Sequence, residues 1–258
     1  MPPTEIIGLA AVAAAASLIN AVAGGGTLLT FPALLFFGTA PIVANATSTL
    51  ALVAGTAGSI FGFRRHTRAI WPWLVRFAFV SAAGGWLGSL LLTRTSDRAF
   101  VRLVPFLILF ATLLFLAQGA FRRFAGFGGN AGEPSVHERR VWVAVVFQFG
   151  VSVYGGYFGA GIGILMLASL GFLGLHDIHE MNALKNALGS LINLVAAAWF
   201  VASGLIDWPK AGVMTVGALA GYFVGAHYSQ RIPQAATRRL ITAIGFTISA
   251  VMFYRQFR

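Results

Sequence analysis

The chain has 258 residues, 58% of them hydrophobic and 10% charged, with a mean hydropathy of +0.81. That composition excludes a soluble domain, because a spanning helix needs about 20 mostly apolar residues and several such stretches are present. Eighteen Lys and Arg against seven Asp and Glu give a formal charge of +11, which in a membrane chain is read loop by loop; the expected partner is the lipid bilayer, and nucleic acid is not expected.

The N-terminal Met1, Pro2, Pro3, Thr4 and Glu5 lack the basic region of a signal peptide, so the first apolar stretch is expected to remain as a membrane helix. Apolar stretches cover residues 6–23, 27–38, 41–63, 71–92 and 100–119, then 141–158, 162–175, 178–203, 208–229 and 240–254. Between the two sets, residues 120–140 carry Arg122, Arg123, Glu133, Glu138, Arg139 and Arg140 among glycines and Pro134, the composition of a solvated connection. The expected organisation is therefore a transmembrane repeat at 1–119, a basic cytoplasmic linker at 120–140 and a second transmembrane repeat at 141–258. With no cysteine in the chain, disulfides, thiolate metal sites and cysteine nucleophiles are excluded.

Sliding the sequence along itself by 137 residues pairs Gly24 with Gly161, Gly26 with Gly163, Asn45 with Asn182, Trp71 with Trp208 and Pro72 with Pro209. Over positions 23 to 103 there are 16 identities, where composition alone gives roughly seven, so the chain reads as an internal duplication. The offset also aligns helix starts: Pro41 suits a first helical position, and its counterpart Ile178 follows Asp177, with Glu180 completing a capping box. The second stretch of each half is too short to cross a ~30 Å hydrocarbon core at ~1.5 Å per residue, so both are expected to be short, tilted or broken.

Charge indicates how the halves are related. The loop at 63–71 holds Arg64, Arg65 and Arg68, whereas its counterpart at 201–208 has no Lys or Arg and contains Asp207. The positive-inside rule puts these loops on opposite faces, which makes the second half an inverted copy of the first. The same orientation leaves Arg94, Arg98, Arg102, Arg255 and Arg258 outside, against the rule. The fold class expected is an all-α integral membrane protein of two inverted helical repeats, with about five membrane segments in each.

None of the seven acids lies well inside an apolar stretch. A pump or cation-coupled carrier usually keeps a carboxylate at membrane depth, so a site here depends on hydroxyls, amides, backbone N–H groups and a cation, a set that favours an anion. The break Gly24, Gly25, Gly26 precedes a short helix, as does Gly159, Ala160, Gly161, Ile162, Gly163 in the second half. Glycines admit close backbone approach, helix starts attract anions, and paired interruptions in two halves mark a transporter's site; close helix packing is the alternative reading. Asn45 and Thr49, like Asn182 and Asn186, stand four apart and share a helix face. Lys185, one of two lysines, falls ~10 Å into its helix, where it either binds an anion or snorkels to the interface. His176 and His179 lack further ligands at a metal-site spacing, and no metal or cofactor is expected. Gly84, Gly85 and Gly88, with Gly221 and Gly225, read as helix contacts.

Asn20, Ala21, Val22, Ala23, Gly24, Gly25, Gly26, Thr27, Leu28, Leu29, Thr30, Phe31, Pro32, followed by Ala44, Asn45, Ala46 and Thr47, resembles the TauE/SafE family of probable sulfite and organosulfonate exporters. The second-half runs at 159–163 and 182–186 are similar to that family's repeated motif. The resemblance implies a cell-membrane carrier of small sulfur-containing anions such as sulfite or sulfoacetate. Ile162 inside the second glycine run, and Thr47, Ser48 and Thr49 where Lys or Asn is often found, depart from the family pattern, so the first-half site would contribute hydroxyls only. The rivals are a membrane scaffold without substrate and an intramembrane hydrolase. A hydrolase needs a nucleophile and base at depth, yet all five histidines lie in or beside loops or helix ends and no Gly-x-Ser-x-Gly occurs. A homo-oligomer is compatible with the sequence.

Overall fold

The computed structural model describes residues 1–22, 25–62, 67–126, 138–172, 178–228 and 234–257. Among them the chain forms ten α-helices and no strand: α1 (Pro3–Val22), α2 (Thr27–Phe36), α3 (Pro41–Gly62), α4 (Thr67–Arg94), α5 (Asp97–Gly126), α6 (Glu138–Tyr157), α7 (Ile162–Phe172), α8 (Ile178–Ala202), α9 (Trp208–Tyr228) and α10 (Gln234–Phe257). Proline's fixed φ starts α3 at Pro41. Asp207 caps α9, its Oδ1 accepting the Lys210 N–H at 3.2 Å. Asp177, the expected cap of α8, lies outside the described residues. With 10 and 11 residues, α2 and α7 reach only ~15 to 17 Å, about half of a hydrocarbon core.

Four described segments, Pro3–Asn20, Ile70–Arg94, Asp97–Ala117 and Glu180–Ala202, are long and apolar enough to cross a membrane. Described helix enters both ends of the expected linker at 120–140. α5 continues to Gly126 and α6 already begins at Glu138, because Arg, Ala and Phe at 120–125 contain no helix breaker and a helix can carry charge past the membrane surface.

The halves are interleaved. α1 packs chiefly against α9, and α4 against α6 and α8, while α3 touches α8 and α9 and α5 lies along α10. Small residues make the first two contacts close: a Cβ on Gly217 or Gly221 would overlap the backbone of Ala10 or Ala14, and one on Gly88 or Gly156 the backbone of Val153 or Gly85. In lipid such packing, rather than hydrophobic exclusion, holds helices together.

The contacts also give directions. Residue numbers rise together in the pairs Ala10–Gly217 and Ala14–Gly221, so α1 and α9 are parallel. α4 runs parallel to α8, since Gly85 adjoins Ile192 and Thr93 Oγ1 accepts the Trp199 indole N–H at 3.3 Å. α5 and α10 are antiparallel: Ser249 Oγ donates to the Pro105 carbonyl at 3.1 Å, and Gly245 faces Thr112.

At one end of the bundle the starts of α1, α3 and α9 meet around Lys210. Its ammonium lies 3.0 Å from Glu5 and 3.8 Å from Asp207, and donates to the Phe37 carbonyl at 3.1 Å and Thr39 Oγ1 at 2.9 Å. Glu5, which the sequence sets before the first apolar run, is thus buried against a helix of the other half. Toward the core Phe31 of α2 packs edge-on against Phe158 at 5.4 Å and Phe100 at 6.3 Å, which wedges the short helix between the two halves.

Candidate functional site

The site begins with two chain breaks. Gly25, before α2, has φ 95°, and Gly159 and Gly161, between α6 and α7, have φ 81° and 80°, a left-handed region that glycine enters without a Cβ penalty. Both breaks converge on α5. A Cβ on Gly25 would overlap the Phe115 ring, and one on Gly161 would lie 3.7 Å from the same ring and 3.8 Å from Ala111. The glycines therefore do pack closely, but the turns they make also expose donors. The N–H groups of Leu28, Leu29 and Thr30 turn back to Gly25 and Gly26, and that of Ile164 to Gly161. Those of Thr27, Ile162 and Gly163 make no hydrogen bond among the described residues. Two helix starts with free N–H groups, each the positive end of a peptide dipole, are thereby brought to one place.

Between them is a cavity of about 60 Å³, enough for a few waters or a small ion. From the first half it is lined by Asn20, Gly25, Thr27 and Leu52, and from the second by Gly159, Gly161, Ile162, Gly163, Met166, Lys185, Asn186, Gly189, Ser190 and Asn193. None of these residues is acidic. The stem of Lys185 runs past Gly163, where an added Cβ would sit 3.3 Å from its Cδ. Among the described residues its ammonium has no hydrogen bond or ion pair, whereas Lys210 holds two carboxylates, a carbonyl and a hydroxyl. Asn20 Oδ1 accepts the Gly26 N–H at 3.5 Å, and its NH₂ has no partner among the described residues. Ser190 Oγ is buried without a partner among the described residues. Such orphaned polar groups are costly unless something binds them.

Of the residues expected from sequence, Gly25, Gly161, Gly163, Lys185 and Asn186 line this cavity, and Gly26 caps α2 beside it. Gly24 lies outside the described residues, as do His66, His137 and His176. Asn45 and Thr49 have other partners: Asn45 Nδ2 donates to the Tyr157 carbonyl at 3.1 Å, closing the end of α6, and Thr49 Oγ1 donates to the Asn45 carbonyl at 2.8 Å. Asn182 is partly buried on α8 and is not among the lining residues. Ser48, which stands where the second half has Lys185, is 2.6 Å from Thr30 Oγ1 with both hydroxyls buried. Thr47 Oγ1 accepts the Asp207 N–H at 3.1 Å. The first half thus satisfies its own hydroxyls, and the open donors come mainly from the second.

Sequence reading missed Asn20, Thr27, Ser190 and Asn193. A signal existed for two of them. Positions 186, 189, 190 and 193 continue the Lys185 face of α8 at helical spacing, and each of the four lines the cavity.

The sequence pattern described as Sulfite exporter TauE/SafE matches residues 9–252. A probable membrane transporter protein of Haemophilus influenzae is 31% identical over 249 residues, covering 93% of this chain and 91% of that protein. Probable membrane transporter protein YfcA of Escherichia coli K12 is 27% identical over 245 residues, with 93% and 85% covered. Probable membrane transporter protein ORF9 of a Sinorhizobium species is 26% identical over 242 residues, with 91% and 87% covered. No solved structure matches.

Proposed function

The chain belongs to the sulfite exporter TauE/SafE family of multi-pass membrane transporters, and from that premise we propose that it exports a small sulfur-containing anion, such as sulfite, sulfoacetate or a related organosulfonate, through the cell membrane. The observation that carries the reading is Lys185: an ammonium without a partner among the described residues, in a cavity none of whose described lining residues is acidic, between the free starts of two short helices. Each feature has a cost in lipid that an anion removes.

Contacts to the anion come from Lys185, Asn186, Asn193, Ser190, Asn20 and Thr27, with the N–H groups of Ile162 and Gly163. Asn45, Thr49 and Asn182 act behind this shell, Asn45 by holding the end of α6. We take the halves as inverted repeats that rock about the shared site to give alternating access. Support comes from helix sense: parallel α4 and α8 with antiparallel α5 and α10 is the arrangement that five alternating segments per half require. Counterflow in proteoliposomes tests the reading. Vesicles preloaded with sulfite or sulfoacetate should accumulate the labelled anion only when they contain the protein, and absence of counterflow for every sulfur anion tried would overturn it.

A further inference from the structure

We infer that the cavity selects small dianions, pyramidal or tetrahedral oxyanions of charge −2, over singly charged sulfonates and zwitterions; this rests on the anion-site reading above and narrows it. The first argument is charge. Lys185 supplies one full positive charge, and the starts of α2 and α7 each supply about half a charge through their free N–H groups, so the fixed field approaches +2. No lining residue among those described is acidic. A monoanion would leave about one unit of that field uncompensated in a low-dielectric site, and the ammonium of an aminosulfonate would oppose it directly.

The second argument is space. The cavity measures about 60 Å³, and Leu52 and Met166 line it along with the polar residues. That volume accepts a central atom with three or four oxygens.

The third argument is donors. A dianion loses more hydration than a monoanion, and the site replaces it with groups that have no other partner among the described residues. These are the Lys185 ammonium, the buried and unpartnered Ser190 hydroxyl, the free Asn20 NH₂, and the N–H groups of Thr27, Ile162 and Gly163. They come from both breaks and from α8. Ser190 is 7% exposed, which marks the site as built into the interior and not a surface accumulation of charge.

Each helix start contributes a severalfold preference for additional negative charge, so two together favour a dianion by on the order of tenfold over a monoanion with the same head group. The test is isothermal titration of the purified full-length protein in nanodiscs at neutral pH, with sulfate, thiosulfate, methanesulfonate and taurine as separate probes. Sulfate and thiosulfate should bind at least about tenfold more tightly than methanesulfonate, taurine should give no heat, and Ser190→Ala should weaken sulfate severalfold in a protein that still folds. Methanesulfonate binding as tightly as sulfate, with both lost in Lys185→Met, would overturn the dianion inference and leave the anion site standing. No binding of any of the four would overturn both.

Discussion

Replacing Lys185 by Met separates a ligand from a structural lysine. In the structure the ammonium gives up no protein hydrogen bond or ion pair among the described residues, and the stem that passes Gly163 is nearly matched by Met in length and apolar contact. Stability should therefore hold, or rise by up to roughly 3 kcal/mol, the scale of burying an unpaired lysine in a membrane helix. Affinity should move the other way. A charge-assisted hydrogen bond to a sulfur oxyanion is worth about 1.5 to 3 kcal/mol, so binding should weaken roughly ten- to a hundredfold. Both quantities can be read on one sample, unfolding by thermal or denaturant titration in detergent and affinity by titration with sulfite. Unchanged affinity, or a stability loss of several kcal/mol, would refute the reasoning and assign Lys185 to the structure.

Lys210→Met should behave in the opposite way, because it strands Glu5 and Asp207; removing one partner of a buried pair costs about 3 to 5 kcal/mol, and adding Glu5→Gln should recover part of the loss in the same unfolding assay. Gly221→Val drives a side chain into the Ala14 backbone and should cost at least about 1 to 3 kcal/mol, whereas Gly212→Ala, in the same helix with nothing within 4 Å of the added carbon, should be neutral or stabilising by up to about 1 kcal/mol. Single cysteines at positions 65 and 202 of this cysteine-free chain should label with an impermeant thiol reagent from opposite faces; labelling from the same face would remove the inverted arrangement.

Much of the architecture is legible in the sequence because the bilayer makes the pattern simple. Apolar stretches bounded by Pro41, Trp71, Trp208 and the glycine breaks became helices starting at or close to the expected positions, and the two short ones remained short. Lys185 could be found by scarcity, since an isolated lysine within an apolar helix needs an explanation. What could not be read was pairing between elements distant in the chain. Glu5 appears in sequence as a terminal acid, yet the packing of α1 on α9 buries it beside Lys210. Asn45 and Thr49 match Asn182 and Asn186 in spacing, but spacing fixes a shared helix face and not the partners that each side chain meets across it. With Ser48 where the second half has Lys185, the first half closes its hydroxyls onto Thr30 and onto its own backbone. Asn20 joins the site only because the break after α1 folds Gly26 back toward it.

The central claim, that substrate sits between the two helix starts at Lys185, is tested most directly by anomalous diffraction from crystals of the protein soaked in selenate, a heavy-atom dianion of the proposed shape. The account predicts a selenium peak inside the cavity, close enough to Lys185 Nζ for a selenate oxygen to accept its hydrogen bond, and facing the N–H groups of Ile162 and Gly163. A peak elsewhere with this cavity unfilled, or no peak in crystals saturated with selenate, would contradict it.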